Sequence, residues 1–159
     1  PVTEHVRDAL VEIDPDHAAE YRANAEALLG DLATLDEDLT SGLADCKVRD
    51  IVTSHAAFAY LARAYDLTQV PIAGIDPGTE PSAAQLAEIS DLVEADGITT
   101  VFTETLVSPA VANTVAREAG VETATLDPIE GLTEETSDED YLSIMRTNLA
   151  TLQKANDCS

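Results

Sequence analysis

The stretch Arg49-Asp50-Ile51-Val52-Thr53-Ser54-His55-Ala56-Ala57-Phe58 decides the fold. Its β-branched run reads as a short buried strand, and a helix from Ala56 to Tyr65 is expected after it. The alternation recurs downstream. Gln69 to Ile75 reads as a second strand, followed by Asp76-Pro77-Gly78-Thr79-Glu80-Pro81, a loop with strong turn chemistry. Ser82 is placed to cap a helix reaching about Glu94, with Gln85 completing a capping box. Gly97 ends that helix, and Ile98 to Thr103 forms a third strand. Ser108-Pro109 opens the next helix, Gly120 closes it, and Val121 to Leu126 is the fourth strand. Asp140 to Lys154 is the last helix. Strands alternating with helices of about ten or more residues require crossover connections. The fold class is therefore α/β, an open four-stranded parallel sheet flanked by helices.

Upstream, Val2 to Ile13 is an amphipathic helix, and Asp14-Pro15-Asp16 stops it and starts another. Asp14 is placed to cap, and Pro15 sits where its missing N–H costs nothing. Tyr21, Ala25, Leu28, Leu32, Leu35, Leu39 and Leu43 then recur at spacings of three and four. They draw one apolar stripe along a helix of about 28 residues, roughly 40 Å long. Residues 1–45 thus form a long amino-terminal helix region and residues 46–159 an α/β lobe.

With 159 residues, 45% of them hydrophobic, the chain has enough material for one domain or one lobe of something larger. It carries 31 Asp+Glu against 8 Lys+Arg, a formal net charge of −23. So negative a surface repels phosphate backbones and anionic headgroups, which excludes nucleic acid as a partner and electrostatic membrane docking. The charge suits a cation ligand. Spread along the whole chain, it equally suits the acidic coat of proteins from very salty surroundings. No apolar run reaches about 18 residues, so the chain is not membrane-spanning. It opens at Pro1 without a visible signal peptide and reads as a processed or excised piece, which leaves the compartment open. Cys46 and Cys158 form either one long-range disulfide, as in extracytoplasmic proteins, or two unrelated thiols.

In an open parallel sheet, ligands collect beyond the carboxyl ends of the strands. His55 falls there after the first strand, Glu104 after the third and Asp127 after the fourth. One imidazole and two carboxylates on one rim outline a cation site. Each also has a plainer reading: a half-buried capping histidine, a locally paired Glu104, a turn-initiating Asp127-Pro128. No glycine-rich phosphate loop and no G-x-S-x-G elbow is present. His5 and His17 read as exposed. The acidic run Glu134, Glu135, Asp138, Glu139, Asp140 lacks calcium-loop spacing and reads as a solvated loop and helix start.

Six phrases carry a resemblance. They are Asp14 to Ala25, Val52-Thr53-Ser54-His55 through Leu61, Glu80-Pro81-Ser82, Val101-Phe102-Thr103-Glu104, Leu126-Asp127-Pro128-Ile129-Glu130-Gly131-Leu132, and Tyr141 to Leu149. In this order, over essentially the whole chain, they resemble the metal-receptor solute-binding proteins of zinc and manganese ABC importers, the ZnuA/TroA type. The resemblance implies a non-enzymatic, two-lobed extracytoplasmic receptor with a rigid linker helix, the metal lying between the lobes. It matches His55 and Asp127 to the carboxy-terminal lobe's ligands, with Glu104 orienting them. It implies Zn²⁺ as the cargo, Mn²⁺ less so because His55 is an imidazole, and an ABC importer permease as partner. It further implies a lipid anchor through an amino terminus outside this chain, an absent amino-terminal lobe supplying two more histidines, and a Cys46–Cys158 disulfide. Two other readings stand beside it. One is a small α/β enzyme using His55 with Glu104 or Asp127 as acid/base groups; the other is a module dimerising through the leucine stripe.

Overall fold

The computed structural model describes residues 2–76, 78, 81–134 and 136–159. The chain divides into two compact units, one up to Asp38 and one from Leu39 to Ser159. The division falls inside a helix, seven residues before the boundary expected at residue 45, and Leu39 and Leu43 are buried in the second unit.

The first unit contains α1 (Val2–Ile13) and the start of α2 (Ala18–Gly42), joined by a single 3-10 turn at Pro15–His17. Asp14 does not cap that turn through its side chain. Instead its Oδ2 accepts from the Tyr21 hydroxyl at 2.8 Å and lies 2.8 Å from His17 Nδ1, tying the corner to the next helical turn. At 25 residues α2 is about 38 Å long. Along its stripe Ala25, Leu35, Leu39 and Leu43 are buried, whereas Leu28 is exposed.

The second unit is built on four short strands, β1 (Asp50–Thr53), β2 (Thr68–Pro71), β3 (Thr100–Thr103) and β4 (Glu122–Thr125). They pair in parallel in the order β2-β1-β3-β4. The crossovers are α3 (Ala59–Ala64), α4 (Ala83–Ala95) and α5 (Ala110–Ala119), and α6 (Tyr141–Ala155) follows β4. Alternation along the strands sends Val52 and Val101 to a core shared with Ile89 and Val93 of α4 and Ala112 and Val115 of α5. Ile51 and Phe102 face the other way and are also buried. Both faces are therefore covered, as a parallel sheet requires. Gly120, at φ 70°, ends α5 in the left-handed conformation that favours glycine.

The expected elements recur with shifted and mostly shorter bounds. The helix after β1 begins at Ala59 rather than Ala56, because the Ala56 and Ala57 amides donate to Gly74 O and His55 O instead. Ser82 Oγ accepts from the Gln85 amide at 3.2 Å, but the Gln85 side chain reaches Ile72 O, so the capping box is only half formed. The complete box is at α6, between Asp140 and Ser143. Pro77, Thr79 and Glu80 of the expected turn, and Glu135 of the acidic run, lie outside the described residues.

Cys46 and Cys158 are joined in a disulfide across 112 positions. Around it Val48 N donates to Asn156 O, Asn156 Nδ2 to Val48 O and Gln153 Nε2 to Gly42 O. The chain's carboxyl end is thus stitched to the exit of α2. A Cβ at Gly42 would come within 2.7 Å of Gln153 Nε2, so a larger residue there would displace that side chain from the Gly42 carbonyl.

Candidate metal centre

Parallel pairing sets the carboxyl ends of β1, β3 and β4 side by side, so residues directly after them share one rim. His55 and Glu104 meet there. The imidazole Nδ1 lies 2.5 Å from Glu104 Oε2 in an ion-pair contact, with both side chains almost wholly buried, and neither atom has a hydrogen bond among the described residues. The other Glu104 oxygen accepts from the His55 backbone amide at 3.0 Å. One carboxylate therefore grips one residue by backbone and side chain together.

Burial pushes the Glu104 carboxyl above its ordinary range, and the negative charge of Glu130 adds to the push; the His55 amide and imidazole pull the other way. A neutral imidazole donating Nδ1–H to Glu104 carries its lone pair on Nε2. That is the tautomer a metal ligand needs, in the carboxylate–histidine arrangement that orients ligands and raises their basicity. The His55 carbonyl is held as well, accepting from the Thr53 hydroxyl at 2.8 Å, the Gln69 amide at 2.9 Å and the Ala57 N–H.

Nε2 faces a residue that strand-end reasoning passed over. Glu130 Oε1 lies 3.5 Å from it, on a side chain half open to solvent. Asp127 is buried on the same loop, but no ion pair among the described residues joins it to His55. Its Oδ1 accepts the Ile129 N–H at 2.7 Å, closing an Asx turn. Asn148 of α6, itself buried, accepts from the Asp127 N–H at 2.9 Å and donates to the Asp127 carbonyl at 2.8 Å. Within this turn Ile129 takes φ 61°, a left-handed conformation that costs a β-branched residue on the order of 1–2 kcal/mol. The signal for Glu130 was present in the quoted phrase Leu126 to Leu132, but its reach to His55 depends on that turn.

His5 is exposed in the first unit, and His17 pairs with Asp14 there. Among the described residues, no group of three or more His, Cys, Asp or Glu side chains is arranged to hold a metal ion. Beside the loop lies a cleft lined by Phe58, Tyr60, Asp127, Ile129, Tyr141 and Met145.

The family profile described as "Zinc-uptake complex component A periplasmic", ZnuA, matches residues 1–155. The zinc-binding lipoprotein AdcA of Streptococcus pneumoniae serotype 4 is 43% identical over 158 residues, 98% of this chain and 32% of that protein. The high-affinity zinc uptake system protein ZnuA of Bacillus subtilis is 36% identical over 146 residues, 91% of this chain and 46% of that one. Among solved structures, the Zn(II)-bound ZnuA-like domain of S. pneumoniae AdcA aligns with a TM-score of 0.80 at 44% identity, over 97% of this chain and 58% of that domain. The chain spans less than half the length of these two curated relatives.

Proposed function

This chain belongs to the ZnuA family, and from that premise we propose that it is the carboxy-terminal part of an extracytoplasmic receptor that captures Zn²⁺ and delivers it to the permease of an ABC importer. It supplies half a coordination shell: His55 through Nε2, and a carboxylate from the loop after β4. Zinc takes about four N, O or S ligands, so the remainder would come from the part of the receptor this chain does not span. A lipid anchor on that part would accord with the relative described as a lipoprotein. The role is binding and release, without catalysis.

One observation carries the reading. A buried imidazole has its Nδ1 engaged by a buried carboxylate and its Nε2 aimed at a second carboxylate, half open to solvent. Of Asp127 and Glu130 in the Leu126–Leu132 segment, Glu130 has an oxygen toward Nε2, while Asp127 has Oδ1 committed to the Ile129 amide. We therefore assign the ligand role to Glu130 and a shaping role to Asp127, in place of the Asp127 ligation expected from the strand ends. Glu104 orients the imidazole. The nitrogen ligand favours zinc over manganese.

The test is Zn²⁺ calorimetry on a receptor completed with the missing lobe, comparing His55→Ala, Glu130→Gln and Asp127→Asn. The reading predicts that the first two lose affinity by more than about a hundredfold and the third by less. Unchanged affinity in His55→Ala would remove this site from the shell. A loss in Asp127→Asn but not in Glu130→Gln would restore Asp127 as the ligand.

A further inference from the structure

The loop that presents Glu130 is held in a backbone conformation that Ile129 would not choose. Ile129 sits at φ 61°, a region that β-branched residues almost never occupy. Such a conformation persists only where its surroundings over-determine it, and it concentrates at functional sites. Here the constraints come from two directions. Asp127 Oδ1 takes the Ile129 N–H from within the loop at 2.7 Å. Asn148, two turns into α6, takes both the N–H and the carbonyl of Asp127, at 2.9 and 2.8 Å. That buried amide acts as a peptide-like clamp on the loop's first residue. The residue after the strained position is Glu130, whose Oε1 lies 3.5 Å from His55 Nε2.

We infer that Asn148 and the left-handed Ile129 are positioning elements for zinc capture. They hold the Asp127–Pro128–Ile129 turn so that Glu130 is presented toward the His55 imidazole before the metal arrives. Neither residue touches the ion. Their contribution is to avoid an ordering cost that a free loop would incur on binding. The inference rests on Glu130 being the ligand. It adds that the geometry of this ligand is written into α6, 18 residues further along the chain, and into one backbone angle.

Two variants test it in this 159-residue chain, titrated with Zn²⁺ and followed by NMR at the His55 ring and the amides around Glu130. Ile129→Gly relaxes the angle and leaves every α6 residue unchanged. Asn148→Asp keeps the acceptor for the Asp127 N–H but turns the donor to its carbonyl into a second acceptor. Ile129→Gly is expected to weaken Zn²⁺ binding about tenfold or more while its melting temperature holds or rises. Asn148→Asp should weaken binding similarly in whatever fraction folds. Wild-type affinity in Ile129→Gly, or a loss that only tracks unfolding, overturns the inference whatever Asn148→Asp does. Glu130→Gln separates the two claims. If it loses binding while Ile129→Gly does not, the positioning inference alone fails; if Glu130→Gln binds normally, the ligand assignment falls and takes this inference with it.

Discussion

Glu104→Gln is the sharpest perturbation of the pair at the rim, because it changes one atom and leaves the volume intact. In the native protein Glu104 Oε1 accepts from the His55 backbone amide at 3.0 Å, and Oε2 lies 2.5 Å from Nδ1, close enough to receive its proton. A glutamine can satisfy only one of these. Whichever way the amide is turned, its NH₂ meets a His55 donor. If it faces the backbone N–H, a buried donor is left unsatisfied, at about 1–3 kcal/mol. If it faces Nδ1, the imidazole must move its proton to Nε2, which removes the lone pair offered to a metal. The first outcome appears as lost stability, a fall in melting temperature of roughly 5–15 °C for a unit of this size. The second appears as lost zinc affinity, about 10–100-fold for a partner of this kind. Long-range ¹H–¹⁵N NMR of the His55 ring, which reports the tautomer directly, together with calorimetric Zn²⁺ titration, distinguishes them. A Glu104→Gln variant with native melting, native tautomer and native zinc affinity would refute the reasoning that Glu104 sets the state of His55.

Reduction of the Cys46–Cys158 bridge, or serine at both positions, frees a loop of 112 residues and should lower the unfolding free energy by about 2–5 kcal/mol; denaturant titration with and without reductant measures it, and coincident curves would contradict it. The net charge of −23 should make stability rise with ionic strength, steeply as the Debye length shrinks toward about 3 Å near 1 M salt. A melting temperature indifferent to added salt would remove self-repulsion from the account. At the start of α6, the Ser143 N–H holds the Asp140 carboxyl below its ordinary range. A lowered folded value means that Asp140 contributes stability above about pH 3.8 and loses it as pH falls through the folded value. Asp140→Asn, which still caps but does not titrate, should therefore flatten the acid limb of the stability profile, and an unchanged limb would exclude this group. Zinc competes with a proton for Nε2, so affinity in the completed receptor should weaken as the solution is acidified.

Much of this architecture was legible in the sequence, and the reasons are local. Ile51-Val52-Thr53, Gly97, Ser108-Pro109 and Gly120 punctuate strand and helix by rules that act over a few residues. The strand–helix alternation then leaves a parallel sheet as the simplest arrangement. His55 and Glu104 stood out as candidates because each lies within two residues of a strand's carboxyl end. The proposed ligand Glu130 was not singled out because it lies five residues beyond Thr125 and follows the left-handed Ile129, a conformation no propensity would assign to isoleucine. Gln69 and Asn148 were missed for a related reason. A polar residue inside a strand or helix reads as solvent-facing until the neighbouring loop is known to need a donor. The helix expected at Ala56 was over-extended because the amides of Ala56 and Ala57 are used to shape the turn around His55. In each case a long-range hydrogen bond at the candidate site overrode a local preference.

The proposed function places zinc between His55 Nε2 and the Glu130 carboxylate. The most direct measurement is a crystal structure of the zinc-loaded receptor with the ion located by anomalous scattering at the zinc edge. A Zn–N distance of about 2.0–2.1 Å to His55 Nε2 and a Zn–O distance of about 2.0–2.2 Å to Glu130 are expected, with Asp127 Oδ1 still on the Ile129 amide. Zinc bound away from His55, or held by Asp127 with Glu130 turned to solvent, would contradict it.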